Sequence, residues 1–338
     1  MRPGTILEVS RLKKIFVQRR GWFSRFSGGE RLIPAVDDVS FYIKEKETLG
    51  LVGESGCGKT TVGRTILGLT PATSGSILFE GKEVTALPPE ELRALRSRMQ
   101  MIFQDLDAAL NPKMRVRDIL SEAITVHHRL TDAEVERKTA ELLDQVNLKA
   151  SKLPSFPDEL SGGEKRRVGI ARALAVGARF LVADEPTSAL DVSIQAQVLN
   201  LLLDLQKRLG LSYLFISHDL RVVELVSRKV AVMYMGTIVE TGLSESTARA
   251  PRHPYTRVLW SSLVERQSYE APRQAPWSAA GSWGVFDFER PTAGCRFAPR
   301  CPVYAANGRP AVCTDPASAP QLAAAGAAHQ VACHFPLM

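Results

Sequence analysis

The chain has 338 residues, which is enough for one large domain with an appendage or for two to three units. Its 43 Lys and Arg against 36 Asp and Glu give a net charge of +7. This moderate basic excess fits a nucleotide, a nucleic acid, an anionic membrane surface or plain solvated charge, and does not choose among them. No apolar run approaches the roughly 18 residues of a membrane-spanning helix, and the N-terminus has no apolar leader. We therefore expect a cytosolic chain with reduced cysteines.

The N-terminal segment is predicted to be rich in β-structure. Residues 5–17 suggest a pair of edge strands, and residues 35–43 alternate as a strand that enters the core. Between them, residues 18–31 form a polar insert with Arg, Gly, Ser and three aromatic residues. We interpret the insert as a surface loop, with contact to a membrane or a partner as the alternative.

The segment from Gly53 to Thr60 reads G-x-x-x-x-G-K-T. It follows the apolar run 48–52 and leads into a segment with apolar residues at helical spacing, which is the strand–turn–helix context of a phosphate-binding loop. Glycines let backbone N–H groups surround a polyphosphate, and the helix N-terminus adds a favourable dipole. Lys59 can reach the β- and γ-phosphates, and the Thr60 hydroxyl can ligate Mg²⁺. The segment predicts binding of a nucleoside triphosphate.

The middle of the chain changes from strands to helices. Residues 76–84 and 99–103 are predicted strands, but the pattern from about 105 to 165 is helical. Two amphipathic helices are expected near 116–128 and 131–147, and the second begins with the capping box T-D-A-E. A helical insertion inside an α/β domain is the simplest account.

The α/β pattern then resumes. Strands are predicted at 180–184, 212–216 and 229–234, with a long helix at 191–209 and a hairpin at Gly236. Parallel strands alternating with helices indicate a doubly wound core. From residue 266 the chain is rich in Pro, Ala and Gly, which is typical of a loop-built extension and not of a second core.

Four apolar residues followed by Asp184 and Glu185 suggest the second half of a P-loop ATPase site. Asp184 at the strand end can hold Mg²⁺, directly or through water, and Glu185 can orient and deprotonate the attacking water. Alone, the pair would be an ordinary acidic turn. Beside a phosphate loop, the catalytic interpretation is favoured.

A second anion-binding motif lies at Leu160–Glu164, where Ser and two Gly precede a helix. One nucleotide does not need two such termini from one chain, so we interpret this one as serving the nucleotide of a neighbouring subunit. A generic P-loop kinase would have no need for it.

The chain resembles the ATP-binding-cassette (ABC) ATPases, whose full motif set it carries in order at Gly53–Thr60, Gln104, Leu160–Glu164, Phe180–Glu185, Ser188–Asp191 and His218. The resemblance covers about residues 5–265. It implies an α/β P-loop NTPase fold with a mostly parallel sheet core, an antiparallel β edge, an inserted α-helical subdomain at about 105–165 and a loop-rich, Cys-containing extension at 266–338. The ATPase domain would be residues 1–265.

The resemblance also implies two cassettes in a head-to-tail dimer, with each ATP between the phosphate loop of one subunit and the signature of the other. The residues that would contact ATP within one subunit are Phe16, Gly53, Ser55, Gly56, Cys57, Gly58, Lys59, Thr60, Thr61, Gln104 and Asp184. Those that would act across the interface are Ser161, Gly162, Gly163, Glu164 and Asp191. Phe16 would stack on adenine, and Thr60 and Gln104 would bind Mg²⁺. Glu185 and His218 would be catalytic.

Two of these residues leave an alternative open. His218 could be a buried capping histidine, although the other motifs favour contact with the γ-phosphate and Glu185. Glu164 stands where the family usually has Gln. Its charge could weaken binding of the neighbour's triphosphate, or it could face solvent.

The tail resembles the oligopeptide and dipeptide importer branch of the family, which includes nickel importers. The resemblance rests on Arg252–Thr256, R-H-P-Y-T, and on the extension after it. In isolation, His253-Pro254-Tyr255 would be only a helix start.

Four of the five cysteines lie in the tail with the spacing C-x5-C-x11-C-x19-C, at Cys295, Cys301, Cys313 and Cys333. Four thiols in a loop-rich cytosolic segment suggest a metal centre. Relatives in the importer branch can carry a four-cysteine [4Fe–4S] cluster here, and clusters tolerate varied spacing. Zinc, which more often uses a C-x2–4-C pair, and free thiols are the alternatives.

The resemblance therefore implies an ATPase coupled to transmembrane transport, a subunit of an importer of di- or oligopeptides that uses ATP and Mg²⁺. It would lie on the cytoplasmic face of the cell membrane with two permease subunits, an extracytoplasmic substrate-binding protein and a second ATPase, either a similar non-identical chain or another copy. The alternatives are an importer of nickel or another small solute, and a soluble cassette protein acting on DNA or ribosomes. We expect no nucleic acid partner. Soluble cassette proteins that act on DNA or ribosomes usually carry long coiled coils or two cassettes in one chain, and this sequence shows neither.

Overall fold

The structure is a computed structural model and describes residues 2–18, 31–126, 130–188, 190–265, 294–326 and 328–337. The polar insert predicted at 18–31 lies almost entirely outside these residues, as does the first part of the C-terminal extension. The strands are β1 Thr5–Gln18, β2 Arg31–Lys44, β3 Thr48–Val52, β4 Ser74–Phe79, β5 Lys82–Glu83, β6 Met99–Ile102, β7 Phe180–Asp184, β8 Ser212–Ser217, β9 Lys229–Tyr234, β10 Thr237–Leu243, β11 Ala323–Ala324 and β12 Gln330–Val331. The helices are α1 Lys59–Ile66, α2 Pro89–Arg96, α3 Val116–Thr125, α4 Asp132–Gln145, α5 Gly162–Leu174, α6 Val192–Leu209, α7 Leu220–Val226, α8 Ser244–Arg249, α9 Pro254–Glu265 and α10 Pro302–Ala306.

The main sheet has eight strands in the order β11-β12-β10-β9-β3-β8-β7-β6. The five strands from β9 to β6 are parallel, and β10, β12 and β11 extend the sheet in antiparallel fashion. Every residue of β3, β7 and β8 is buried, as expected of parallel strands covered on both faces. The predicted doubly wound core is confirmed.

A second, antiparallel sheet has the order β2-β1-β4-β5. The prediction of two edge strands within 5–17 is wrong, because β1 is one strand of 14 residues. Its pairing with β2 shifts register between Val9 and Leu12, where Arg11 has φ +46°. Such a bulge bends a strand and changes which face its side chains occupy. In the sequence, this change in the alternation of apolar and polar residues is indistinguishable from a turn between two strands.

Two apolar cores lie on opposite faces of the main sheet. One joins the sheet to α1 and the antiparallel sheet through residues such as Val62, Ile66 and Phe79. The other joins it to α3, α5 and α6 through residues such as Leu120 and Leu202. The predicted helical insertion is confirmed, and so is the capping box of α4, in which Thr131 and Glu134 exchange hydrogen bonds. The insertion therefore shares a core with the parallel sheet.

The described part of the extension packs on the main domain and does not build a core of its own. Strand β12 pairs with β10, and Phe297 belongs to the core that also contains Tyr234 and Tyr255. The predicted loop-built character is visible in its short 3₁₀ turns and in the five-residue helix α10. The division of the chain into domains at residue 265 stays a prediction. Among the described residues, no helix is both long and apolar enough to cross a membrane.

The buried Glu240 connects β10 to the tail, and its loss is expected to destabilise the fold. Its carboxylate accepts hydrogen bonds from the N–H groups of Arg252 and His253 at 2.7 and 2.9 Å, and pairs with Nε2 of His329 at 2.6 Å. Glu240→Ala leaves these buried donors unpaired, which should lower the free energy of unfolding by about 2–5 kcal/mol. Urea unfolding monitored by circular dichroism measures this change.

The matched control is Glu245→Ala, which removes an exposed carboxylate that pairs with Arg249 one helical turn away. We expect the control to change the unfolding free energy by no more than about 0.5 kcal/mol. Equal effects of the two substitutions would contradict the role given to Glu240.

Candidate nucleotide site

The loop between β3 and α1 has the backbone conformation expected of a phosphate-binding loop. Gly58, just before α1, has φ +109°, and a Cβ there would lie 2.1 Å from the carbonyl oxygen of Ala35. Gly53 is equally constrained, because a Cβ would lie 2.2 Å from the carbonyl oxygen of Met233. Only glycine fits at both positions. The sequence requirement for Gly at the two ends of the motif therefore has a steric cause.

Lys59 lies inside this loop. Its side chain is buried, and its ammonium donates hydrogen bonds to the carbonyl oxygens of Gly53 and Glu54 at 2.7 and 2.9 Å. These neutral acceptors hold a positive charge at the start of a helix whose free N–H groups also favour an anion. The neighbouring Cys57 thiol is buried, and burial raises its pKa, so that it stays protonated. The loop therefore offers a net positive site to phosphate.

Thr60 and Asp184 meet at the carboxyl ends of the parallel strands. The Thr60 hydroxyl donates to the Asp184 carboxylate at 3.0 Å, and Asp184 is 2% exposed. Burial raises the pKa of Asp184, and the hydrogen bond from Thr60 opposes that rise. A hydroxyl and a carboxylate at this spacing are the oxygen ligands that Mg²⁺ prefers.

Glu185 occupies the next position and is held from two sides. Its carboxylate accepts a hydrogen bond from the Gln104 amide at 3.1 Å and lies 3.2 Å from Nδ1 of His218. The backbone of Glu185 has φ +46°, a conformation that costs energy outside glycine and is often found at functional sites. The structure thus brings together Gln104, Glu185 and His218, which come from three separate segments of the chain.

The contact between Glu185 and His218 shifts both groups towards their charged forms. The hydrogen bond from His218 lowers the pKa of Glu185, and the same contact raises the pKa of His218. The pair is therefore charged in the pH window between the two shifted values. It is lost as pH rises through the raised pKa of His218, and also as pH falls through the lowered pKa of Glu185.

Removing the Glu185 charge should return the imidazole towards its ordinary titration. In Glu185→Gln we expect the pKa of His218 to be lower than in the unsubstituted protein, because the charged acceptor is gone. An NMR titration of the His218 ring protons measures both values. The buried His253 ring, whose pKa burial lowers to about 3, should not move. A His218 pKa that is unchanged by the substitution would contradict the ion pair.

The segment Ser161–Glu164 forms the N-terminus of α5. The Ser161 hydroxyl accepts from the N–H of Glu164 at 3.3 Å, and the Glu164 carboxylate accepts from the N–H of Ser161 at 3.0 Å. Glu164 also pairs with Lys152 at 2.9 Å, and this contact lowers the pKa of Glu164. Glu164 therefore neither faces solvent freely nor stands as a bare charge: it completes a capping box and is neutralised by Lys152.

The signature and the phosphate loop share no polar contact in the part of the chain that the structure describes. No hydrogen bond or ion pair among the described residues joins Ser161, Gly162 or Gly163 to the segment Gly53–Thr60. Asp191 precedes α6, is exposed and makes no side-chain capping bond. Ser188 is tied to Glu185 by a hydrogen bond to its carbonyl oxygen, whereas Ala189 lies outside the described residues. The assignment of the signature to the nucleotide of a second subunit stays a prediction.

Phe16 is 41% exposed near the end of β1, and the Lys14 ammonium lies 4.9 Å from the centre of its ring. An exposed aromatic ring is available for stacking on a base. Ser55 and Gly56 are also exposed, and Thr61 is partly buried in the first turn of α1. Their roles with the nucleotide stay predictions.

Sequence reasoning missed Arg166, which lies in α5 just after the signature. Its buried guanidinium donates to the carbonyl oxygens of Phe103 and Gln104 at 2.8 and 3.2 Å. Arg166 thus connects the signature helix to the segment that contacts Glu185. The only signal was its place in the run Lys165–Arg167, which is typical of a solvated helix face.

The four tail cysteines are free thiols that line one mainly apolar pocket, formed by Cys295, Cys301, Cys313, Cys333, His253 and Phe297 among others. Burial raises the pKa of each of these thiols, that of Cys333 to about 12. Within the part of the chain that the structure describes, no group of three or more His, Cys, Asp or Glu side chains is arranged to hold a metal ion. The thiols share a pocket without converging as ligands, so the metal centre stays a prediction.

Comparison with known proteins assigns the family. A family model described as "ABC transporter" matches residues 36–188, and one described as "Oligopeptide/dipeptide transporter, C-terminal region" matches 239–307. The chain is 43% identical over 340 residues to the oligopeptide transport ATP-binding protein AppF of Bacillus subtilis, an alignment that covers 98% of this chain and 97% of that protein. It is 48% identical over 261 residues to OppF of the same organism, covering 76% of this chain and 82% of OppF.

Solved structures agree with this assignment. The chain is similar to the dimeric bacterial ABC transporter cassette MJ0796, with a TM-score of 0.62, 25% identity and coverage of 70% of this chain and 98% of the cassette. It is also similar to CbiO1 of Clostridium perfringens, part of the ABC transporter complex CbiONQ, with a TM-score of 0.61 and 27% identity. This match covers 72% of this chain and 90% of CbiO1. The chain therefore belongs to the ATP-binding proteins of ABC transporters, in the group that carries the oligopeptide/dipeptide transporter C-terminal region.

Proposed function

We propose that this protein is the ATP-hydrolysing subunit of an ABC importer and powers uptake of di- or oligopeptides through partner transmembrane subunits. The observation that carries the proposal is the match of residues 239–307 to the C-terminal region of oligopeptide and dipeptide transporters. AppF, a relative named for oligopeptide transport, aligns over 98% of the chain, which supports the same substrate class.

The phosphate loop would bind the triphosphate of ATP. Backbone N–H groups from Gly56 to Thr61 and the Lys59 ammonium would contact the β- and γ-phosphates. Thr60 would ligate Mg²⁺, with Asp184 and Gln104 beside it, and the ion would neutralise charge on the phosphates. Lys59 already bonds two loop carbonyls, so its charge is oriented before the nucleotide arrives.

Glu185 would orient the attacking water and accept its proton as the water oxygen bonds to the γ-phosphorus, while ADP leaves. The hydrogen bond from His218 and the amide of Gln104 hold the carboxylate. Because the contact with His218 favours the ionised form of Glu185, the base is deprotonated at neutral pH. His218 would also contact the γ-phosphate.

A second subunit would complete each site. Ser161, Gly162 and Gly163 at the start of α5 would face the γ-phosphate of the neighbour, and Asp191 would cross the same interface. The exposed backbone of a helix N-terminus favours an anion, and Glu164 does not oppose it because Lys152 neutralises its charge.

The partners would be two membrane-spanning permeases, a second ATPase that is a similar chain or another copy, and an extracytoplasmic substrate-binding protein. The protein would then lie on the cytoplasmic face of the membrane. The helical subdomain would transmit closure of the dimer to the permeases, since its helices α3 and α4 share a core with α5, which is joined to Gln104 through Arg166.

The test is uptake by cells that lack this protein alone. We expect uptake of a labelled tripeptide to be lost and uptake of ⁶³Ni²⁺ to be retained. Complementation with the intact gene should restore tripeptide uptake and leave nickel uptake as it was. Loss of nickel uptake with normal peptide uptake would favour the alternative importer. Co-purification with ribosomes or DNA, and not with membrane proteins, would contradict transport altogether.

We further propose that the four tail cysteines hold a metal centre, with [4Fe–4S] as the first candidate. Four sulfur donors in one apolar pocket fit iron–sulfur chemistry in type and number, although among the described residues no three of them are arranged as a ligand set. Binding would require loss of the thiol protons, which raised pKa values disfavour until a metal is present. The cluster would be structural or regulatory, because ATP hydrolysis has no redox step.

Anaerobic purification with a visible spectrum and with iron and zinc counts tests this centre. A brown protein with about four iron atoms per chain that loses its colour in Cys301→Ser supports the cluster. One zinc per chain would indicate the alternative, and colourless protein with neither metal would remove the claim.

A further inference from the structure

The C-terminal extension contacts the phosphate loop directly. The Arg300 guanidinium binds the Glu54 carboxylate through two parallel hydrogen bonds, Nη1 to Oε2 and Nη2 to Oε1, each of 3.0 Å. Glu54 is the second residue of the phosphate loop, and Arg300 lies 246 positions further along the chain. The Arg300 side chain is 19% exposed and the Glu54 side chain 27% exposed. A bidentate pair that is mostly buried is expected to be stronger than an exposed surface ion pair.

The extension and α9 also fix the backbone of Glu54. Its N–H donates to the hydroxyl of Tyr255 at 2.9 Å, and Tyr255 is fully buried at the start of α9. Tyr255 packs against Tyr234 and Phe297, with ring centres 4.6 and 5.4 Å away. Arg300 lies over the Tyr234 ring at 5.7 Å. This aromatic cluster gives the contact a rigid support.

The opposite side of Glu54 faces the site. Its carbonyl oxygen accepts the hydrogen bond from the Lys59 ammonium. One loop residue therefore has its N–H held by Tyr255, its carboxylate by Arg300 and its carbonyl by the lysine predicted to bind phosphate. Arg300 and Lys59 therefore bond the same residue, Glu54.

Charge makes the same pairing important for ATP. An unpaired carboxylate in the phosphate loop would repel the triphosphate, and Arg300 neutralises it at 3.0 Å. We propose that Arg300 is a positioning residue for ATP, which acts through Glu54 to hold the phosphate loop in the shape and charge state that accept the nucleotide. The proposal rests on the assignment of Gly53–Thr60 as the phosphate loop.

The experiment measures the Kd of the full-length chain for a fluorescent ATP analogue, and KM and kcat in the assembled transporter. For Arg300→Gln we expect Kd and KM to rise about tenfold with kcat within about twofold, since binding and not the chemical step is affected. Arg300→Lys keeps the charge but loses the bidentate geometry, so it should recover part of the affinity. It also serves as the second variant if the glutamine substitution does not fold. The control is Arg309→Gln, an exposed arginine of the same extension, which should leave Kd and KM unchanged.

A double substitution separates positioning from general stability. For Glu54→Gln alone we expect a rise in Kd of about threefold, and for Glu54→Gln with Arg300→Gln a rise no larger than that of Arg300→Gln, because both substitutions remove the same contact. Three results would each overturn the proposal. The first is a rise in Kd in the double variant equal to the product of the two single rises. The others are a fall in kcat of Arg300→Gln without a change in KM, and an unchanged Kd in Arg300→Gln. Lys59→Ala distinguishes failure of the assignment itself. If it weakens binding by about 100-fold while Arg300→Gln has no effect, the phosphate loop stands and only the role of Arg300 is lost.

Discussion

Replacing Glu185 with glutamine is expected to lower the ATPase rate by about 10²–10⁴-fold while ATP binding is retained. The amide keeps the size of the side chain and one hydrogen-bond acceptor, but it cannot take a proton from water. The residues predicted to bind the triphosphate, such as Lys59 and Thr60, do not depend on Glu185 for their hydrogen bonds. Single-turnover hydrolysis and equilibrium binding of labelled ATP measure the two quantities separately.

The substitution should also trap the dimer. If two copies of this chain form the dimer and hydrolysis reopens it, Glu185→Gln with ATP and Mg²⁺ should migrate in size-exclusion chromatography as a species twice the mass of the nucleotide-free chain. The control is Glu136→Gln, an exposed carboxylate on α4, which should change neither rate nor mass. Substantial turnover by Glu185→Gln would mean that another group acts as the base.

The core of the cassette could be predicted because its determinants are local. The glycines and Lys59 of the phosphate loop lie within eight residues of one another, and Asp184 follows an apolar strand directly. Parallel strands place their carboxyl ends on one edge of a sheet, so motifs that follow separate strands meet without further information. Gln104, Glu185 and His218 accordingly meet through two direct contacts.

The features that the sequence did not predict depend on pairings between distant residues, which no local pattern specifies. The contact between Glu54 and Arg300 joins residues 246 positions apart, and neither residue belongs to a periodic pattern that would predict its partner. The bulge at Arg11 changed the face pattern of β1 and made one strand resemble two. Glu164 was recognised as a departure from the family, but its neutralisation required Lys152 to approach from a neighbouring 3₁₀ turn.

Gly162→Asp is expected to abolish turnover without weakening ATP binding to the isolated chain. Gly162 is the first residue of α5, and a Cβ there would meet only Leu190 Cδ2, at an ordinary contact distance of 3.5 Å. An acidic side chain in the first helical turn also favours the helix, so the substitution should fold. It would however place a carboxylate where the γ-phosphate of the neighbour is expected, and remove an anion site that we expect to stabilise the transition state by about 10²–10³-fold.

Comparison with Lys59→Ala separates loss of the signature from loss of ATP binding by the chain's own phosphate loop. Both substitutions should stop hydrolysis, but only Lys59→Ala should weaken ATP binding by the isolated chain, by about 100-fold if two charge-assisted contacts to phosphate are lost. Gly162→Ala is the control for size without charge and should retain most of the activity. If two copies form the dimer, a mixture of the Lys59→Ala and Gly162→Asp chains should regain turnover, because one of its two sites combines an intact loop with an intact signature. Should Gly162→Asp weaken binding to the isolated chain as much as Lys59→Ala does, both motifs would have to serve one nucleotide in the same subunit.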